Sequence, residues 1–207
     1  MHGAADVILR AVQLWTAFQQ SGVVGKAVLA ILLIFSIVSW AVMIAVGAEP
    51  QAQMTRQEIA GIRNMTVVDP TIACAGATDA AAIPEIAKRG YKSIINLRLA
   101  SERDANIDDA KSAAARAGIR YIHLPFDVAN PDESVVDRFI AALSDSANQP
   151  VFVHCGSANR VAGMLMIKRV VVDGWDTAKA ENEARQIGLS NPPLRNWALD
   201  QIAKRKR

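Results

Sequence analysis

Apolar positions along this chain follow three different rhythms. Residues 27–48 read AVLAILLIFSIVSWAVMIAVGA, with no charged side chain. About 20 such residues match the thickness of a bilayer's hydrocarbon core, so the run predicts a transmembrane helix or signal anchor. Ahead of it, ADVILRAVQLWTAF within residues 1–26 spaces its apolar residues helically, as an amphipathic segment at a membrane surface does. Lys26 abuts the run, so the charge balance tips towards an inside N-terminus and a main domain on the periplasmic or extracytoplasmic side. The alternative is secretion after cleavage near Val46-Gly47-Ala48, although the run is longer than a usual signal core. Residues 49–64, EPQAQMTRQEIAGIRN, read as a polar, partly helical connector.

From residue 65 onwards, short β-rich runs alternate with helical segments. TVVDPTIACAG gives two strands around Asp69-Pro70, and TDAAAIPEIAKRG a helix with Thr78 as N-cap and Gly90 as stop. YKSIINLRL, IRYIHLPF and PVFVH are strands. ANIDDAKSAAARAG is an amphipathic helix, and DVANPDESVVDRFIAALSDS is a loop and helix with Asn130 as N-cap and Pro131 at the first helical position. RVAGMLMIKRVVVD, DTAKAENEARQIG and PPLRNWALDQIAKRK close the chain as helices. This alternation predicts an α/β domain over 65–207 with a mostly parallel central sheet flanked by helices. In such sheets ligands bind beyond the carboxyl ends of the strands.

Composition narrows the chemistry. The 207 residues are 51% hydrophobic with a formal charge of +3, as in a folded protein. Part of that charge is the terminal Lys204-Arg205-Lys206-Arg207 run, read as a solvated helix end. No basic stripe with interleaved aromatics points to nucleic acid. Cys74 and Cys155 are too few for a disulfide framework. The three histidines are scattered, so no metal or other cofactor is expected.

One loop then stands out. QPVFVHCGSANRVAG, from residue 149, leaves a strand at His154-Cys155, turns through four compact residues and enters a helix at Arg160. A phosphoryl group moving onto sulfur needs a thiolate in cationic or dipolar surroundings. It also needs inward-facing backbone N–H groups at a helix start and a forked guanidinium. Gly156, Ser157, Ala158 and Asn159 let the backbone curl, and Arg160 stands at the helix mouth, so residues 156–160 are a candidate phosphate-binding loop. His154 is placed to bond nearby backbone and support the thiolate. Taken alone, Cys155 would more often be a core residue; the surrounding pattern makes it a candidate nucleophile.

HCGSANR resembles the loop of cysteine-dependent protein tyrosine and dual-specificity phosphatases, whose usual signature has five residues between Cys and Arg. The four-residue spacing is similar to the bacterial beta-lactamase hydrolase-like branch, with its H-C-x-S-G-x-R-S loops. GYKSIINLRLASE, AGIRYIHLPF and DGWDTAKAENEARQIGLSNPPLR extend the resemblance over roughly 65–200. It implies a phosphatase-like fold and a phosphate monoester hydrolase that needs no metal. Its substrate would be a phosphorylated protein or a small phosphate ester. The chain departs from the pattern at Ala158 (often Gly), at Val161 (often Ser or Thr) and at Cys74-Ala75-Gly76-Ala77 (often ending Ser-Gly-Gln).

The leaving oxygen needs a proton. Asp127 lies just past an apolar run and is the candidate general acid; Asp132 and Glu133 read as first-turn helix residues. Arg98, at the end of SIINLR, is a supporting residue expected to pair with Glu102. His123 is read as structural. Cys74 is a buried small side chain or one half of a reversible disulfide with Cys155. Besides phosphatase action, a rhodanese-type sulfurtransferase and a catalytically weak phosphate-binding module fit the loop.

Overall fold

The computed structural model describes residues 54–206 and scattered positions between 13 and 39. Two compact units divide the chain, residues 1–51 and 52–207. Among the described residues no helix is long and apolar enough to cross a membrane. This corrects the expected extracytoplasmic placement with its secreted alternative, which rests on reading 27–48 as a spanning or signal helix; the transmembrane helix itself falls mostly on residues outside the described ones. Most of the predicted surface segment 1–26 also lies outside the described residues.

The second unit is an α/β layer structure. Its strands are β1 (Thr55–Ile59), β2 (Ile62–Asp69), β3 (Ile72–Ala75), β4 (Ser93–Asn96), β5 (Arg120–His123) and β6 (Val151–His154). Its helices are α1 (Ile83–Lys88), α2 (Ile107–Ala117), α3 (Ser134–Ser144), α4 (Asn159–Val171), α5 (Thr177–Ile187) and α6 (Pro192–Arg205). The sheet order is β1-β2-β3-β6-β4-β5. Strands β3, β6, β4 and β5 run parallel, while β1 and β2 form antiparallel pairs at one edge. The stretch read as a connector, 49–64, therefore contributes β1 and the start of β2. Its charges hide the strand because β1 is an edge with a mostly exposed face.

Two buried layers follow from the period-two alternation of strand side chains. Val151, Val153 and Cys155 face the layer that holds buried residues of α3, α4, α5 and α6. Phe152 faces the opposite layer, with Ile83 and Ile86 of α1 and Ala113 and Ala114 of α2. The chain leaves β3 and β4 towards the α1–α2 side and leaves β6 towards the α4 side, and a crevice opens where such connections part. Two predicted caps moved. Thr78 donates its hydroxyl to the Gly76 carbonyl, 3.2 Å, rather than capping a helix. Helix α3 begins at Ser134, behind an Asp132 turn, not at Pro131.

On the α4 side lies an ion network remote from the loop. Arg169 is 8% exposed and bonds Glu183 Oε1 at 2.8 Å, Asp69 Oδ2 at 2.7 Å and Asp173 Oδ2 at 3.1 Å. It joins β2, α4 and α5. Lys168 also holds Asp173, at 2.8 Å. The Trp175 ring lies 4.7 Å from the Arg169 guanidinium carbon, within cation–π range. Burial pushes the Glu183 carboxyl up despite its arginine partner. Asp69 moves down, because its bonds to Arg169 and Thr71 together outweigh burial.

Candidate active site

Cys155 follows the last residue of β6, and its backbone N–H donates to Ala75 O at 3.2 Å. Its side chain is fully buried on the α4 face. His154 takes the opposite direction, as strand alternation requires, and lies 3% exposed beside Phe152. Burial first, then the positive charge of Arg98, holds its imidazole down to about 3. At neutral pH it is uncharged, and its Nδ1 has no hydrogen-bond partner. It therefore brings no cation to the sulfur; its ring instead bonds the backbone of Cys155 and Gly76.

The loop from Gly156 to Asn159 is braced on both sides. Gly156 O accepts from Ala77 N at 3.0 Å, and Ser157 forms a bridge with Gly76. Gly76 makes this close approach possible: a Cβ there would lie 3.2 Å from both Gly156 O and Arg63 O. Both atoms are backbone and cannot swing away. We expect Gly76→Ala to cost about 1–3 kcal/mol, the usual penalty of overpacking, and to displace the loop. A denaturant midpoint equal to that of the parent would show that the approach is not tight.

On the other side, Asn159 Oδ1 accepts from Ser190 N at 2.8 Å and Asn191 N at 3.0 Å. Its Nδ2 donates to the hydroxyls of Ser157, 3.3 Å, and Ser190, 3.2 Å. Ala158 carries the turn into α4 at φ 71, in the left-handed region, fully buried. The residue thus sits in the conformation glycine adopts most freely, at a backbone cost of about 1–2 kcal/mol. Val161 is fully buried in the core, so no hydroxyl follows Arg160.

Arg160 is fixed by one end of its fork. Nη1 and Nη2 bond the two carboxylate oxygens of Glu102 at 2.5 and 2.8 Å. Nη1 also reaches Leu97 O and Phe126 O, each at 3.1 Å. Cys155 is a further side-chain hydrogen-bond partner of the guanidinium. Burial alone would lower Arg160, but the bonds and charge of Glu102, together with Cys155, outweigh it and hold the guanidinium proton more tightly. Glu102 in turn is drawn down to about 2: its burial is overcome by Arg160, by the Leu99 N–H and by Arg98.

Arg98 supports this pair from behind. It is 6% exposed, donates from Nε to Glu102 Oε2 at 3.3 Å, and ties down the Arg103 and Asp104 carbonyls. It therefore organises the loop after β4, as its spacing to Glu102 predicts, and is not aimed at a ligand. The neighbouring Asn96 bonds Tyr121 OH at 2.7 Å and the Arg98 N–H at 2.8 Å. His123 bonds Arg98 O at 2.8 Å, the structural use expected of it.

Asp127 follows Phe126, whose carbonyl touches Arg160, so the backbone places it at the site's rim. Its Oδ1 accepts from Ala129 N at 2.9 Å in a tight turn. Asp132 and Glu133 are engaged elsewhere, Asp132 with Ser134 and Glu133 with Gln201 and Lys204. The contacts of Lys204 with Glu133 and of Arg205 with Asp137 consume part of the basic tail as well. Cys74 pairs with Val153, two residues short of Cys155. Strand spacings put their Cα atoms roughly 8 Å apart, beyond disulfide reach without backbone movement. Both thiols are free, and burial pushes the Cys74 thiol well up.

The structure brings the expected Cys155, Arg160 and Arg98 together, and adds Arg160 to Arg98 as a partner of Glu102. Sequence reasoning missed Ser190 and Asn191 altogether. Their one signal was Asn191 before Pro192-Pro193, an N-cap pattern whose distance from the loop in sequence concealed the contact.

Residues 64–171 match the model of the beta-lactamase hydrolase-like protein, phosphatase-like domain. A beta-lactamase hydrolase-like protein of Xylella fastidiosa (strain Temecula1) is 34% identical over 114 residues, covering 53% of this chain and 26% of that protein. The chain thus spans about a quarter of that curated relative. Among solved structures, TpbA of P. aeruginosa aligns with TM-score 0.56 and 21% identity over 75% of this chain and 91% of that one. The core catalytic domain of the PP-IP phosphatase SIW14 from S. cerevisiae aligns with TM-score 0.57 and 16% identity, over 71% and 93%. At these identities the structures establish the common fold.

Proposed function

Because the chain belongs to the family of beta-lactamase hydrolase-like phosphatase domains, we propose that it hydrolyses phosphate monoesters through a cysteinyl-phosphate intermediate. The observation that carries this reading is the placement of Arg160. Glu102 and two carbonyls anchor its guanidinium within hydrogen-bond reach of Cys155, where its remaining N–H groups can take a phosphoryl group from the sulfur's side. In the first step the Cys155 thiolate attacks phosphorus, the ester P–O bond breaks, and Asp127 gives its proton to the leaving oxygen. In the second, water attacks phosphorus, the S–P bond breaks, the thiolate leaves and Asp127 takes back a proton. Arg160 and the N–H groups of residues 156–160 hold the equatorial oxygens as charge builds. A phosphotyrosine-type ester fits this chemistry, and a cysteine-to-serine form of TpbA has been crystallised in complex with pTyr.

The buried Val161 favours a second reading in one respect. Without a hydroxyl after Arg160 nothing at that position eases departure of the thiolate, so the second step is slow and the domain approaches a weakly turning phosphate binder.

Asp127→Asn tests the acid. Phenyl phosphate has a poorer leaving group than p-nitrophenyl phosphate and depends more on protonation. We expect kcat/KM to fall about 100-fold or more for phenyl phosphate, much less for the nitrophenyl ester, with loss of the high-pH limb. Equal losses on both esters, or an unchanged pH profile, would remove Asp127 from the role.

A further inference from the structure

Arg63 stands next to the phosphate loop with nothing to do. It is exposed at the start of β2, and among the described residues no ion pair or side-chain hydrogen bond engages it. Its backbone is locked to the site. Arg63 N donates to Ala77 O at 2.9 Å, and Gly76 N donates to Arg63 O at 2.7 Å. The Arg63 Cβ lies 3.4 Å from the point where a Cβ on Gly76 would sit, and Gly156 O lies 3.2 Å from that same point. The side chain therefore springs from a position one small residue away from the loop, a gap that an arginine stem readily covers.

A local irregularity sets this position. β1 and β2 pair Gln57 with Met65 but Ile59 with Ile62, so Arg63 and Asn64 together oppose Glu58. Asn64 takes φ 51 to complete this bulge. A bulge with a non-glycine residue in the left-handed region costs energy, and such features recur where a side chain has to be re-aimed beside a site. Its neighbour Ala77 has no polar group to offer a substrate, so the longer side chain of Arg63 supplies the polar contact on this rim.

We propose that Arg63 is a specificity-determining residue that holds a second anionic group of the substrate while Arg160 holds the phosphoryl group to be transferred. The preferred substrate class is a phosphate ester with a further phosphate or carboxylate a short distance from the scissile bond. This rests on the phosphatase reading above.

Phenyl phosphate and hydroquinone bisphosphate share the ring and the scissile bond and differ in the second phosphate. For Arg63→Gln we expect KM on the bisphosphate to rise about tenfold, the value of one charge-assisted hydrogen bond. Its kcat, and both constants on phenyl phosphate, should stay as in the parent. An unchanged KM on the bisphosphate, or an equal rise on both esters, would overturn the proposal. If the parent hydrolyses neither ester, the phosphatase reading fails, and calorimetric titration decides on Arg63 separately. With Cys155→Ser as background, a tenfold loss of bisphosphate affinity on adding Arg63→Gln supports the role. Equal affinity in the two proteins, none included, overturns it.

Discussion

Cys155→Ser is expected to lower kcat on any aryl phosphate by about four orders of magnitude or more, while leaving oxyanion binding largely intact. A hydroxyl is a far weaker nucleophile than a thiolate, and removing the covalent step leaves only positioning and charge stabilisation. The loop itself should survive. Its shape comes from Ala77 and Gly76 on one side and from Asn159 with Ser190 and Asn191 on the other, none of which depends on sulfur. Arg160 keeps Glu102, Leu97 O and Phe126 O. Initial rates with p-nitrophenyl phosphate and calorimetry with inorganic phosphate check the two halves of this expectation. Retained turnover would mean that the sulfur is a core atom and that the chemistry lies elsewhere.

The largest effect on stability is expected away from the site. Arg169→Ala should cost about 3–5 kcal/mol, as breaking a buried ion pair on one side usually does. Three carboxylates, Asp69, Asp173 and Glu183, now converge on one guanidinium. Among the described residues Lys168 pairs with Asp173 alone, so Asp69 and Glu183 would lose their cation. For a domain of this size the melting temperature should fall by on the order of 10 °C. Arg169→Lys should recover part of the loss, since it keeps the charge but not the fork. Lys111→Ala, which removes the exposed contact to Asp108 at 3.8 Å, should change little. Similar melting points for the Arg169 and Lys111 variants would show that the buried network holds nothing together.

Much of this architecture could be read from the chain because its strands are buried on both faces. Runs such as SIIN and VFVH, set between helical periods, leave little choice but a parallel sheet. The edge hairpin was hidden for the complementary reason: TRQEI carries the charges that an exposed edge needs, and reads as a connector. Arg98 with Glu102 was legible as a local pair at helical spacing. The Arg160–Glu102 bond was not, because the two residues lie 58 positions apart and meet only when β4 and β6 are neighbours. For His154, adjacency to Cys155 suggested bonds to nearby backbone, which Cys155 and Gly76 provide, while strand alternation turns the two side chains to opposite layers.

Val161 matters most for the final test. With the second step slowed, the phosphorylated thiol should accumulate. Rapid mixing of the protein with p-nitrophenyl phosphate, followed by acid quench and mass spectrometry of its peptides, looks for that species directly. The account predicts a burst of nitrophenol close to one equivalent and a phosphate on the Cys155 peptide. Steady release of product with no phosphorylated Cys155 peptide, or phosphate on a different residue, would contradict it.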